Sequence, residues 1–245
     1  MKGTFVMVDG LDNSGKGTVI EGLKEWALAK GLKVLDLRDY AQANNSFPEE
    51  DELKEFDAVV SVEPSHAYIG KAIRDEMIRA GNRQYNALSI MQAFSLDREI
   101  LYKRVIIPAL KQGKYVFQER GVITSIVYQP VQIRISLSEI IRLPGNSLAL
   151  MNAPDLLLIT NVAPEIVMER MKENMKKDRA IFEELSFQRK VDLRYKSDWL
   201  RSIFERRNSK IVYIDNNPPK TTKELKEETR RIFDEFLEKK AQKQA

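Results

Sequence analysis

The chain has 245 residues, 43% hydrophobic and 31% charged, a balance that suits one packed domain and excludes a disordered chain. It has no cysteine, which excludes disulfides and thiolate metal sites, and one histidine, His66, which excludes a His-rich metal centre. The net charge of +4 comes from basic residues interleaved with acids, which suits phosphate-bearing small ligands or a solvated surface and gathers no stripe for nucleic acid.

The apolar run 5–8 predicts a strand, and the chain reads straight into it without a leader-like apolar segment. No apolar run approaches the ~20 residues of a membrane span, so no membrane association is expected, and the lack of cysteine makes a cytoplasmic location the expectation. After the strand come Gly10, Leu11, Asp12, Asn13, Ser14, Gly15, Lys16, Gly17 and Thr18, then a helical pattern over 19–30. Strand, glycine-rich turn and helix in that order form a phosphate cradle. Gly10 and Gly15 let the backbone curl so that successive N–H groups face one anion. The helix N-terminus adds partial positive charge, and Lys16 reaches the β- and γ-phosphates. Gly17 stands where such loops usually offer a Ser or Thr hydroxyl to Mg²⁺, and Thr18 follows one place later.

Strand-like runs recur at 33–37, 58–62, 115–117, 156–160 and 211–214, separated by helical patterns at 68–80, 86–112, 164–177, 186–207 and 222–240. This alternation predicts βαβ units, a parallel sheet with helices on both faces, and ligands beyond the carboxyl ends of the strands. We read 1–245 as a single domain with two inserted stretches. One, about 40–56, is polar and expected to loop over the surface; the other, about 130–151, carries a helix and turn expected near the substrate mouth.

Chemistry is therefore sought after each strand. Past Val62 come Glu63-Pro64-Ser65-His66, then Gly70 and Arg74 on one helix face, from which Arg74 either points into the crevice or stays at the surface. Phe94 and Arg98, at i and i+4, put a ring beside a guanidinium, so that a flat base can stack on one and bond to the other; taken alone, Phe94 is more often a core residue. Glu119-Arg120 at a strand tip suits a Mg²⁺-bound water and a phosphate, or a plain ion pair, and Thr124, Tyr128 and Gln129 follow in the next helix. The cationic segment from Arg170 to Arg179, including Lys172, Asn174, Lys177 and Asp178, either closes over a triphosphate or forms a solvated amphipathic helix.

Together these pieces resemble thymidylate kinases, P-loop nucleoside monophosphate kinases, from Gly3 to about Ile214. The family's Gly-x-Asp-x-x-Gly-Lys matches Gly10, Asp12, Gly15 and Lys16. Its Glu-Pro with a later Arg matches Glu63, Pro64 and Arg74, and its Phe-x-x-Asp/Asn-Arg matches Phe94, Asp97 and Arg98. The lid pattern (about 168–182) matches Pro164, Arg170, Asp178 and Arg179, and Phe187 with Arg194-Tyr195 fits the helix after it. The resemblance implies an α/β P-loop NTPase three-layer fold: a parallel five-stranded sheet with helices on both faces and a lid segment. It implies Mg²⁺-dependent transfer of the ATP γ-phosphoryl group to dTMP, and a homodimer. The implied catalytic set is Lys16, Asp12, Glu119, Arg120, Arg170 and Arg179, with Thr18 and Glu119 at the metal and residues 10–18 on ATP. The implied acceptor set is Asp12, at the sugar, with Glu63, Arg74, Phe94, Arg98, Arg120, Thr124 and Gln129. The chain departs from the family where Asp-Arg-Tyr becomes Glu119-Arg120-Gly121, where Val62 replaces an arginine, and where Asn13 replaces a loop arginine and leaves the transition-state cation to the lid. Glu119-Arg120 is also similar to the Glu-Arg-Ser of deoxynucleoside kinases. A kinase of other base preference and a non-catalytic nucleotide-binding regulator remain alternatives.

Overall fold

In a computed structural model of the chain, residues 3–78, 83–133, 135–174 and 185–242 are described. Six strands form one parallel sheet in the order β2-β3-β4-β1-β5-β6: β1 (Thr4–Gly10), β2 (Val34–Asp36), β3 (Ala58–Val62), β4 (Tyr115–Glu119), β5 (Leu156–Asn161) and β6 (Lys210–Asp215). The sheet thus has one strand more than the five implied by the resemblance. β6 forms one edge, pairing along β5 from Leu156↔Lys210 to Asn161↔Asp215.

The helices are α1 (Lys16–Ala29), α2 (Leu37–Asn44), α3 (Glu50–Leu53), α4 (Tyr68–Ala72), α5 (Ala87–Leu101), α6 (Ile107–Lys111), α7 (Val122–Gln132), α8 (Leu137–Arg142), α9 (Pro144–Met151), α10 (Pro164–Asn174), α11 (Leu185–Tyr195), α12 (Asp198–Glu205) and α13 (Thr222–Gln242). Side chains alternate across each strand. Phe5, Met7, Val59, Val116 and Leu157 enter one core layer, whereas Val6, Val8, Val60, Phe117 and Leu158 enter the other. Because both faces are covered, the strands read as continuous apolar runs. On the second face α1 packs along α13, and Trp26 meets Phe233 edge-on at 4.6 Å while its Nε1 donates to Asp234 Oδ1 at 2.8 Å.

The stretch expected to loop at 40–56 contains most of α2 and all of α3. Asp36 starts α2 by accepting from the Arg38 amide, and a capping box between Glu49 and Glu52 starts α3. In the second inserted stretch α8 and α9 pack inward, α9 lying along α5. Among the described residues no helix is long and apolar enough to cross a membrane.

Candidate active site

The parallel sheet aligns the carboxyl ends of β1, β3 and β4. Val8 registers with Glu119, and Val62 does so from the other side. The Arg120 amide donates to Val8 O at 2.8 Å and the Glu63 amide to Glu119 O at 2.9 Å, which ties the three tips into one rim. The glycine-rich turn, the Glu63-Pro64 segment and Glu119-Arg120 therefore border one crevice.

Two glycines shape the turn. Gly10 has φ +148° and Gly15, the residue capping α1, has φ +96°, conformations that a side chain strains. A Cβ on Gly15 would also stand 2.4 Å from Asn216 Nδ2, which donates to Ser14 O at 2.9 Å. Ser14 Oγ and Thr160 Oγ1 lie 2.5 Å apart and fix the turn to β5. Leu11 is buried beneath it. Lys16 is folded back into the turn, donating to Gly10 O at 3.2 Å and Leu11 O at 2.5 Å. Burial, and then Arg120, bring Lys16 down to about 8, against Asp12, Glu119 and Asp9, which hold it up.

Asp12 faces Arg120, whose Nη2 donates to Asp12 Oδ1. Burial opposes the Asp12 charge, but Arg120 and Lys16 outweigh it and hold the carboxyl below its usual range, with Tyr128 adding a hydrogen bond. Burial likewise opposes the Arg120 charge, and Asp12 with Asp9 overcomes it, holding the guanidinium charged.

Arg74, in a π-helical turn after α4, donates from Nε to Pro64 O at 2.9 Å and Ser65 O at 3.1 Å. Its described partners are thus neutral carbonyls, and burial lowers its pKa. Phe94 is half-buried on α5. Arg98, one turn on, is only 1% exposed. It donates from Nε to Glu63 Oε2 at 2.8 Å, from Nη2 to Ser125 Oγ at 3.2 Å, and from Nη1 to Asn146 Oδ1. Gln118 Nε2 donates to the other Glu63 oxygen at 2.9 Å, and burial pushes Glu63 up to about 7 against the pull of Arg98. Glu63 and Arg98, expected separately along the acceptor site, are partners in one buried network.

Arg170 reaches the turn from α10, donating to Asn13 O at 3.3 Å and to Asn216 O at 2.8 Å. Arg179 and Asp178 lie outside the described residues. The Thr124 hydroxyl is engaged with Asp9, whereas the buried Gln129 Oε1 has no hydrogen-bond partner among the described residues.

A magnesium ion fits this rim. A Cβ on Gly17 would stand 3.7 Å from Glu119 Oε2, so the carboxylate faces the start of α1 where a loop hydroxyl would project. Thr18 is half-buried one place on. No group of three or more His, Cys, Asp or Glu side chains clusters among the described residues. One carboxylate with few protein ligands suits Mg²⁺ shared with phosphates and water.

Sequence reasoning passed over Asp9, Ser125, Asn146 and Asn216, and named Tyr195 only as part of the Arg194-Tyr195 match, with no role at the site. An acid closing an apolar strand was the signal for Asp9; Ser125, Asn146 and Asn216 carry none of their own and are joined to the site only by the fold.

A family model described as thymidylate kinase matches residues 50–229. The chain is 29% identical over 241 residues to a thymidylate kinase of Caldicellulosiruptor saccharolyticus, covering 98% of this chain and 100% of that one. It is 28% identical to a probable thymidylate kinase of Archaeoglobus fulgidus, covering 95% and 96%. The crystal structure of thymidylate kinase from Ehrlichia chaffeensis superposes with a TM-score of 0.61 at 18% identity, over 95% of this chain and 99% of that one, a likeness of fold.

Proposed function

The chain belongs to the thymidylate kinase family, and from that premise we propose that it is a phosphotransferase moving the γ-phosphoryl group of ATP to the 5′-phosphate of dTMP. An acceptor phosphate oxygen forms the new bond to γ-phosphorus, the β–γ bridging bond breaks, and ADP leaves with dTDP as the second product. The observation that carries this reading is the meeting of the Lys16 turn with the Asp12–Arg120 pair at one rim of parallel strands.

In this reading the turn amides and Lys16 hold the β- and γ-phosphates, while Arg74 and Arg120 grip the acceptor phosphate. Asp12 takes the acceptor sugar. Phe94 stacks on the base, Arg98 donates toward its edge, Glu63 and Gln129 complete that side, and Thr124 supports it through Asp9. Arg170 supplies the lid cation, with Arg179 its expected companion. Glu119 and Thr18 would hold Mg²⁺, which when bound would offset the charge of the transferring phosphate. The protein itself forms no covalent bond; it positions and stabilises.

Leu88 and Leu96 of α5, 48% and 46% exposed and two turns apart, support a homodimer through that face, and the proposed location is the cytoplasm. Lys16→Ala tests the phosphate chemistry. Turnover should drop by several orders of magnitude with the circular dichroism unchanged; near-normal turnover would sink the reading.

A further inference from the structure

Asp9 is the penultimate residue of β1, is fully buried, and has no part in the chemistry above. Its carboxyl gathers three donors from three elements. The Gly10 amide donates to Oδ1 at 2.8 Å, the Tyr195 hydroxyl to the same oxygen at 2.6 Å, and Thr124 Oγ1 to Oδ2 at 2.6 Å. Tyr195 is the last residue of α11, on the far side of residues 175–184, and its hydroxyl also lies 3.3 Å from Gly10 O. That same carbonyl receives the Lys16 ammonium. Thr124 belongs to α7, the helix that follows Arg120 and carries Gln129. One carboxyl thus fixes the peptide that opens the phosphate turn, the helix of the acceptor side, and the helix returning from the lid region.

We propose that Asp9 is a positioning residue that couples the donor and acceptor halves of the site, with Tyr195 its tie to the phosphate turn and Thr124 its tie to α7. This rests on the phosphotransfer reading for the acceptor half alone. Thr124 then acts through Asp9 and not by touching the acceptor. A buried carboxyl with three good donors is costly to disturb and holds its partners in one arrangement.

The test uses Tyr195→Phe, Thr124→Val and Asp9→Asn in the full-length chain, with KM for ATP and dTMP, ADP affinity by calorimetry, and thermal midpoints. Tyr195→Phe should raise KM for ATP and weaken ADP about tenfold, with KM for dTMP changed less than about twofold. Thr124→Val should do the reverse. Asp9→Asn should show both defects, and adding either other substitution to it should change nothing further. Additive effects, or lower midpoints with unchanged KM values and ADP affinity, overturn the proposal. Tyr195→Phe, which keeps the ring and loses one hydroxyl, carries the test if Asp9→Asn does not fold. ADP binding needs no acceptor. Tight ADP binding by the unaltered chain without turnover therefore fails the phosphotransfer reading, whereas unchanged ADP affinity in Tyr195→Phe fails this inference.

Discussion

Arg120 donates from Nη2 to Asp12, joining the tip of β4 to the phosphate turn. The pair sets the acceptor side against the donor side, and it does so from a costly backbone position, because Arg120 has φ +61°. A non-glycine residue there costs roughly 1 kcal/mol. Arg120→Gly should therefore be about 1 kcal/mol more stable than Arg120→Ala in urea unfolding. Both variants should lose on the order of a hundredfold or more in kcat/KM for the acceptor. Equal stability would remove the strain argument, and retained turnover would remove the role of the guanidinium.

Gly17 faces Glu119 with room to spare, since a Cβ there would make an ordinary 3.7 Å contact with Oε2. Gly17→Ser should fit without strain and place a hydroxyl beside the carboxylate. The Mg²⁺ concentration for half-maximal rate should then fall about threefold or more, and Mn²⁺ should bind the ADP complex more tightly in EPR titration. Unchanged metal dependence would place the ion away from residue 17.

Asp36 supplies a pH dependence of stability. Burial opposes its charge, but bonds from Arg38 and Lys24 prevail and bring the carboxyl from 3.8 to about 2. A depressed carboxyl contributes stability fully above its unfolded value and loses it as pH falls toward the folded one. Asp36→Asn should thus be less stable by roughly 2 kcal/mol at pH 7, and the gap should close as pH falls from about 4 to about 2. A gap that persists at low pH would assign the loss to packing.

Gly145 brings α9 against α5, and a Cβ there would stand 1.8 Å from Ser95 O. Gly145→Ala must push the helices apart, at a cost of about 2–3 kcal/mol in urea unfolding. Because α5 also carries Phe94 and Arg98, KM for the acceptor should rise more than KM for ATP. Equal changes in both would separate α9 from the acceptor side.

The phosphate turn was legible in the sequence because its determinants are local: two glycines at φ values that disfavour side chains, and a lysine at the helix start. The strands were legible as apolar runs because both sheet faces are covered. What escaped depends on chain closure. Asp9 meets Tyr195 across 186 residues, and Arg98 meets Asn146 across 48. Spacing offers Arg98 as a base-edge group, whereas its partners Glu63, Ser125 and Asn146, from three other segments, were not legible. The helices at 37–44 and 50–53 escaped because their starts rest on the Asp36 cap and the Glu49–Glu52 capping box inside a polar stretch.

The reaction itself can be measured directly. The direct measurement supplies ATP and Mg²⁺ with dTMP, dUMP, dCMP, AMP, UMP or thymidine and identifies every phosphorylated product alongside ADP. One dTDP should form for each ADP released from dTMP, with the highest kcat/KM of the set. Phosphorylation of thymidine in preference to dTMP, or ADP release with none of the monophosphates, would contradict the reaction proposed.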